Sequence, residues 1–265
     1  MKKILIITVW IVIFAGIMVI FGFAVAEQKK VTCTGAVIIL EDNNQQEFIN
    51  EQDILKIIQQ LYNPLEGRYL DSINTGKIAE TLNNNPYIRE AEVIKSLTGQ
   101  IKVELSRSEA LVRVVNQKGD NFYLGTEGEV MPISKTFIPK ILVANGYIPD
   151  IPDPGAKLRY KGLNNPIQAK SILPQIQYLA GKLAAHSVFR HSIEQIFVNQ
   201  LEEIELVPST GDHIILIGNV SDLDHKLENL LAYYQAGMPK LDTTEHYNVI
   251  DLKYKDQVVC KNTIQ

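Results

Sequence analysis

The chain opens on an unbroken block of 23 uncharged residues, Ile4 to Ala26, of which only Thr8, Gly16 and Gly22 are not apolar. Wound as an α-helix at about 1.5 Å per residue, such a block reaches roughly 35 Å, enough to cross a hydrocarbon core of about 30 Å. The pattern therefore predicts one transmembrane helix over residues 4–26. Lys2, Lys3 and the amino terminus precede it, while Glu27, Lys29 and Lys30 follow it. The excess of positive charge in front predicts a cytoplasmic tail at 1–3 and the remainder of the chain on the far side, a single-pass type II arrangement. The rival reading is a cleaved signal peptide ending at Ala24-Val25-Ala26. A cleavable apolar stretch spans about 7 to 15 residues, shorter than this block. A lipoprotein signal is disfavoured because Cys33 lies beyond Lys29 and Lys30.

Behind residue 26 stand 239 residues with 24 basic and 30 acidic side chains, a charge of −6, within a chain whose total is −4. That composition suits one large core or two small ones and excludes a wholly disordered chain. With one spanning candidate, a multi-pass transporter is excluded too. The negative balance disfavours general nucleic-acid binding. Cys33 and Cys260 are the two cysteines. They pair only if the two ends of the fold meet, and spacing alone leaves a bonded pair and two lone small hydrophobes both open.

The segment 31–108 reads as β-α-α-β-β. Val31 and Val37 to Leu40 mark a strand. Asn50 is placed to cap a helix over 51–61, with Asp53 at its third position and Ile54, Leu55, Ile57, Ile58 and Leu61 forming one stripe. A second helix starts near Asn74, buries Ile78, Ala79 and Leu82, and stops at Asn83-Asn84-Asn85-Pro86. Residues 90–97 and 100–107 then alternate as a hairpin around Thr98-Gly99. This predicts a small sheet with two helices on one side.

The rest predicts a larger, mostly antiparallel mixed region. Strands are expected at 111–115, 122–124, 141–144, 193–199, 201–207, 213–217 and 247–253, the last with a continuation at 257–260. A helix is expected over 167–185 with Pro174 as a kink or break, and another over 221–235, where Asp222 and Asp224 suit the first turn. Pro149, Pro152 and Pro154 mark a loop. The expected class is α+β throughout: a transmembrane helix, a β-α-α-β-β module, then a larger mixed β domain with flanking helices.

No catalytic constellation is visible. The chain lacks a Gly-x-Ser-x-Gly elbow, a phosphate-binding loop and a dinucleotide fingerprint. His186, His191, His213, His225 and His246 show no zinc spacing, and the aspartates beside His225 are explained by a helix start. No catalytic residue, cofactor or metal site is expected. Arg107 and Arg113 read as surface ion-pair partners or as an interdomain clamp. Tyr247 to Tyr254 reads as a closing edge strand, with Lys253 and Lys255 discouraging indiscriminate pairing, and hence as a place where a partner adds a strand.

The residues that carry a family resemblance are Asn50 to Ile54, Ile73-Asn74, Asn85 to Ala91, and Ile101 to Arg107 followed by Ala110. Asn121 to Leu124, Gly128, Met131 to Ser134, Leu142 to Gly146, Ile250 to Tyr254 and Gln257 to Lys261 extend it. In this order they resemble the bacterial cell-division family FtsQ/DivIB, in its Bacteroidota-type form. Residues 27–108 look like its polypeptide-transport-associated (POTRA) domain, 109–260 like its β domain, and 261–265 are a tail. Ser108-Glu109 stands where the family usually has a proline nearby.

The resemblance implies a non-enzymatic scaffold of the divisome, placed in the inner membrane at the division site with its main domains periplasmic. Its implied partners are FtsB-like and FtsL-like subunits, the septal peptidoglycan synthase indirectly, and the membrane, with no nucleic acid. Carried over, Tyr247, Val249, Ile250, Leu252, Lys253 and Tyr254 would form the docking edge, flanked by the helix at 221–235. The competing readings are a POTRA-containing envelope-assembly or secretion chaperone, an envelope enzyme, and an adaptor unrelated to division.

Overall fold

Burying both faces of a sheet or the stripe of a helix requires a core, and the chain builds two. The computed structural model describes residues 10–20, 31–41, 46–149, 171–236 and 247–262. They fall into two compact units, one from 1–43 and 49–107 and one from 44–48 and 108–265.

The expectation of a transmembrane helix is corrected first. A helix, α1, covers residues 10–20, with every side chain in it exposed. At about 1.5 Å per residue the described stretch accounts for roughly 16 Å. Among the described residues no helix is long and apolar enough to cross a membrane. The remaining parts of the expected span, 4–9 and 21–26, and the tail at 1–3 lie outside the described residues. The single-pass inner-membrane placement and the membrane as a partner rested on that span and fall with it. The class is α+β, with no spanning helix among the described residues.

The first unit follows the expected order. Strand β1 (Gly35–Leu40) leads to helices α2 (Glu51–Leu61) and α3 (Thr75–Asn83), then to strands β2 (Ile88–Lys95) and β3 (Gln100–Arg107). The Asn50 side chain accepts from the Asp53 amide at 3.0 Å, and Asn74 caps α3 through the Lys77 amide at 3.1 Å. Asn83 does more than stop α3. Its amide donates to Ala91 O at 2.9 Å and accepts from Ala91 N at 3.0 Å, fastening the helix end to β2. Strands run in the order β1-β3-β2. β1 lies parallel to β3, as two intervening helices permit, and β2 and β3 form an antiparallel hairpin. Gly99 in its turn has φ +86°, and a Cβ there would lie 2.8 Å from Thr32 O, so only glycine fits. Ile54, Ile58, Ile78 and Leu82 from the helices pack with Val93, Ile101, Val103 and Leu105 from the sheet. Cys33 is buried in this core as a free thiol.

The second unit is one nine-stranded sheet. Its elements are β4 (Ala110–Val115), β5 (Asn121–Gly125), β6 (Val130–Pro132), β7 (Leu142–Gly146), α4 (Leu173–Ala185) and α5 (Phe189–Ser192). They continue as β8 (Ile193–Val198), β9 (Ile204–Pro208), β10 (Ile214–Gly218), α6 (Leu223–Ala236), β11 (Val249–Asp251) and β12 (Val259–Lys261). The order is β12-β11-β10-β9-β8-β7-β4-β5-β6. Pairs are antiparallel except β4 with β7, β7 with β8, and β10 with β11. Parallel neighbours need a crossover, and α4 and α6 lie in the connections that supply two of them. Pro174 sits in the first turn of α4 and does not kink it, because proline's fixed φ and missing N–H suit that position. The expected start of that helix at 167–170 and the prolines at 152 and 154 lie outside the described residues. Ile176, Leu179 and Leu183 of α4 and Leu223, Leu227 and Leu230 of α6 share a core with Val112, Ile196, Leu206, Ile215 and Ile250.

Candidate partner-docking site

The expected docking edge is built differently from the reading of one long last strand. Only Val249, Ile250 and Asp251 are extended in pairing, and they are flanked on both sides. Ile214 to Leu216 of β10 pair with them in parallel, and Val259 to Lys261 of β12 pair antiparallel. β11 is therefore interior, and the sheet ends at β12, which has no further described strand beside it.

The six expected contact residues separate accordingly. Ile250 and Leu252 are buried in the core with Leu206 and Leu230, so their side chains hold the sheet together. Tyr247 and Val249 are half-buried. Lys253 and Tyr254 are exposed past the end of β11, and both are engaged. Lys253 Nζ lies 2.9 Å from Glu203 Oε1, which holds its ammonium above the usual lysine range. The Tyr254 ring lies under Lys261 Nζ, 5.7 Å from the ring centroid.

Asp251 organises this corner, and sequence reasoning gave it no role. It is fully buried. Its Oδ1 accepts from the Lys253 amide at 3.0 Å and its Oδ2 from Lys261 Nζ at 2.7 Å. The second contact spans the β11–β12 pair, and it raises the pKa of Lys261. One carboxylate thus sets both the turn after β11 and the hold of β12. The recoverable signal was the run Val258-Val259-Cys260 behind the turn at Lys255-Asp256, two β-branched residues where a tail is expected to fray.

Beneath the edge, α6 supplies Tyr233 and Tyr234. Burial raises the Tyr233 phenol, with a hydrogen bond to Cys260 on β12 adding to the shift. Burial pushes Tyr234 up to about 12. Tyr234 Oη lies 2.9 Å from His213 Nε2 just before β10, and burial holds His213 below the ordinary histidine value while Asp212 opposes the shift. Cys260 is a free thiol, like Cys33.

Among the described residues no three His, Cys, Asp or Glu side chains converge as metal ligands. Asp224 pairs with Lys182 at 2.7 Å and His225 Nε2 with Asp256 at 2.6 Å. Arg113 donates from Nε and Nη2 to Asn121 Oδ1 at 3.2 and 2.9 Å, which spends it inside the β4–β5 pair. Arg107 is buried at the end of β3.

Comparison with known proteins follows the same division. Residues 31–106 match the family described as a POTRA-like domain. A search of curated proteins returns no match. Residues 109–261, more than half of the chain, match the family described as FtsQ/DivIB, C-terminal related. With its POTRA-like module in front of that match, the chain belongs to the FtsQ/DivIB family.

Proposed function

We propose that the protein is a non-catalytic scaffold of the bacterial divisome, which receives partner segments at the β11–β12 end of its nine-stranded sheet. Family membership supports divisome protein–protein interaction as its general work and an extracytoplasmic setting for the two units. The observation that carries the site is topological: β12 closes the sheet, three residues long, with one side committed to β11. An extended partner segment adds there by main-chain hydrogen bonds. The partners proposed are an FtsB-like subunit on the edge itself and an FtsL-like subunit in the same complex, through which the septal synthase is reached. Tyr247, Val249, Lys253 and Tyr254 are the side chains offered to the partner, and Ile250 and Leu252 keep the strand in place. In this reading 27–108 is the module that meets earlier components and 109–260 the partner-binding domain.

Proline at the edge tests the idea. Successive N–H groups of a strand point to opposite sides, so of Val259→Pro and Cys260→Pro one removes an outward donor and the other a donor facing β11. The outward one is expected to lower capture of an FtsB-like segment by about tenfold, on the order of 1.4 kcal/mol, with little change in melting temperature. Capture unchanged by both substitutions in folded protein overturns strand addition.

A further inference from the structure

Four strands end the two sheets, β1 and β2 in one and β6 and β12 in the other. Three of them are defended against stray pairing. β2 carries Arg89, Glu90, Glu92 and Lys95 and shifts register between Ile88 and Glu90. β6 is three residues long and ends on Pro132, and β12 is three long and ends on Lys261. Charge, proline, a bulge and brevity are the usual means of blunting an edge. β1 has none of them. It is six residues, Gly35 to Leu40, uncharged and with Val37, Ile38 and Ile39 β-branched in a row. A strand of that kind is an aggregation hazard unless it is mated. Val37 and Ile39 stand 41% and 37% exposed, while Ala36, Ile38 and Leu40 pack against the core.

The open part of this edge has definite ends and a definite phase. The stretch ahead of β1 is already paired, by the Thr32–Tyr69 bridge and by the Cys33 amide, which donates to Arg68 O at 2.7 Å. Within β1, Gly35 lies opposite Gln100 and Leu40 opposite Leu105 of the parallel β3, and the Glu41 amide donates to Leu105 O at 2.9 Å. Alternate residues of a strand turn their N–H and C=O to the same neighbour. The odd-numbered residues of β1 are therefore committed to β3, and Ala36, Ile38 and Leu40 turn theirs outward. Among the described residues no strand receives them.

The strand is its own complement. With Ile38 on a two-fold axis a second copy runs antiparallel, Ile38 facing its counterpart and Ala36 facing Leu40 on either side. Those are the residues with outward groups, so each facing pair exchanges hydrogen bonds in both directions. Facing residues also share parity, which keeps every side chain on its own face of the sheet. Val37 then meets Ile39 on the exposed face in the closer, non-hydrogen-bonded type of pair, one β-branched side chain against another. A charged residue on a self-pairing strand would meet its like nearby, and β1 carries none. Beside it on β3, Lys102 and Glu104 pair with each other. The carboxylates at the ends of the open stretch are Glu41 and Glu66, the latter with Oε1 3.7 Å from where a Cβ on Gly35 would stand. They confine the pairing to 36–40, and salt that screens them tightens it. We propose that the protein dimerises through β1, two copies pairing antiparallel about Ile38 so that their three-stranded sheets join into one.

The dimer does not involve β12, and its test is separate from that of strand addition. Five residues a side fall short of the roughly 1,200 Å2 of a lasting complex, so a Kd on the order of 10–100 µM is expected. Sedimentation velocity follows the full chain from about 5 to 300 µM at about 0.3 M salt. A mild detergent covers the exposed apolar side chains of α1. The double variant Val37→Lys, Ile39→Lys sets lysine against lysine across the axis and should weaken the dimer at least tenfold. Val37→Lys, Ile39→Glu sets each lysine against a glutamate of the other copy and should recover most of that loss. Both positions are exposed, so the fold is kept, which circular dichroism checks. The β12 proline variants, where folded, should dimerise like the native chain. A native chain that stays monomeric throughout, or a dimer indifferent to the double lysine variant, overturns the proposal. So does a lysine–glutamate variant no tighter than the double lysine one, or a dimer lost in the folded β12 variants.

Discussion

At the scale of single residues, the most consequential side chain is one that sequence inspection passes over. Asp251 is charged by type and sits in an apolar run, Val249-Ile250-Asp251-Leu252, that reads as a strand whichever way its polar member points. Only the fold shows that it points inward, where an acid must be met by donors. It is met by the Lys253 amide and by Lys261 Nζ. Asp251→Ala removes the acceptor from both and should lower stability by about 2 kcal/mol in urea unfolding. Asp251→Asn keeps an oxygen for the Lys253 amide and should cost clearly less. Partner capture should fall in the alanine variant even at temperatures where the domain remains folded, because Lys261 no longer holds β12. Equal stability of the two variants would show that the turn contact contributes nothing.

At the scale of elements, the long amphipathic pieces were legible and the short ones were not. The stripe Ile54-Ile58 with an Asn50 cap, and the hairpin around Gly99, are specified locally and stand as read. β6 went unseen because Val130-Met131-Pro132 is three residues with a proline, a pattern tolerable only at an edge, and the sheet order places it there. The last strand was read as one long edge because alternation carries no information about which neighbour lies beside it. Pairing partners are set by the crossover of α6, a non-local fact. That same helix predicts a pH effect. Tyr234 on α6 meets His213 before β10, with Asp212 the nearest acid. Burial depresses the folded histidine below its ordinary value of 6.5, so the unfolded chain takes up a proton first as pH falls. The contribution is complete above about 6.5 and is lost as pH drops through the folded value. Urea midpoints should therefore decline from pH 7.5 to 5 in the native protein. In His213→Gln, whose amide can still reach Tyr234, the decline should be shallower. An identical slope would place the acid sensitivity elsewhere.

At the scale of the whole molecule, the uncharged block that dominates the sequence predicts little of the described fold. What the chain builds is two sheets with two separate sets of core residues. Ile54, Ile58, Ile78 and Leu82 belong to one, and Ile176, Leu206, Leu227 and Ile250 to the other. Hydropathy counts apolar residues in a window and says nothing of where they pack; those of 10–20 are exposed and belong to neither core, whereas the periodic stripes of the amphipathic helices do. Two separate cores imply that damage is confined to one unit. Ile78 is fully buried between α3 and the three-stranded sheet, and Ile78→Ala should cost about 2–4 kcal/mol by transfer and cavity terms together. Differential scanning calorimetry should then show a heat-absorption peak that moves down with the substitution and a second that does not. Ile196→Ala, in the nine-stranded sheet, should move the other peak alone. A partner that binds the β12 edge should raise only the peak that Ile196→Ala lowers, since a ligand stabilises the unit that holds its site. If both peaks moved together in either variant, the two cores would unfold as one cooperative unit, and partner binding at the sheet edge would be felt by the POTRA-like module as well.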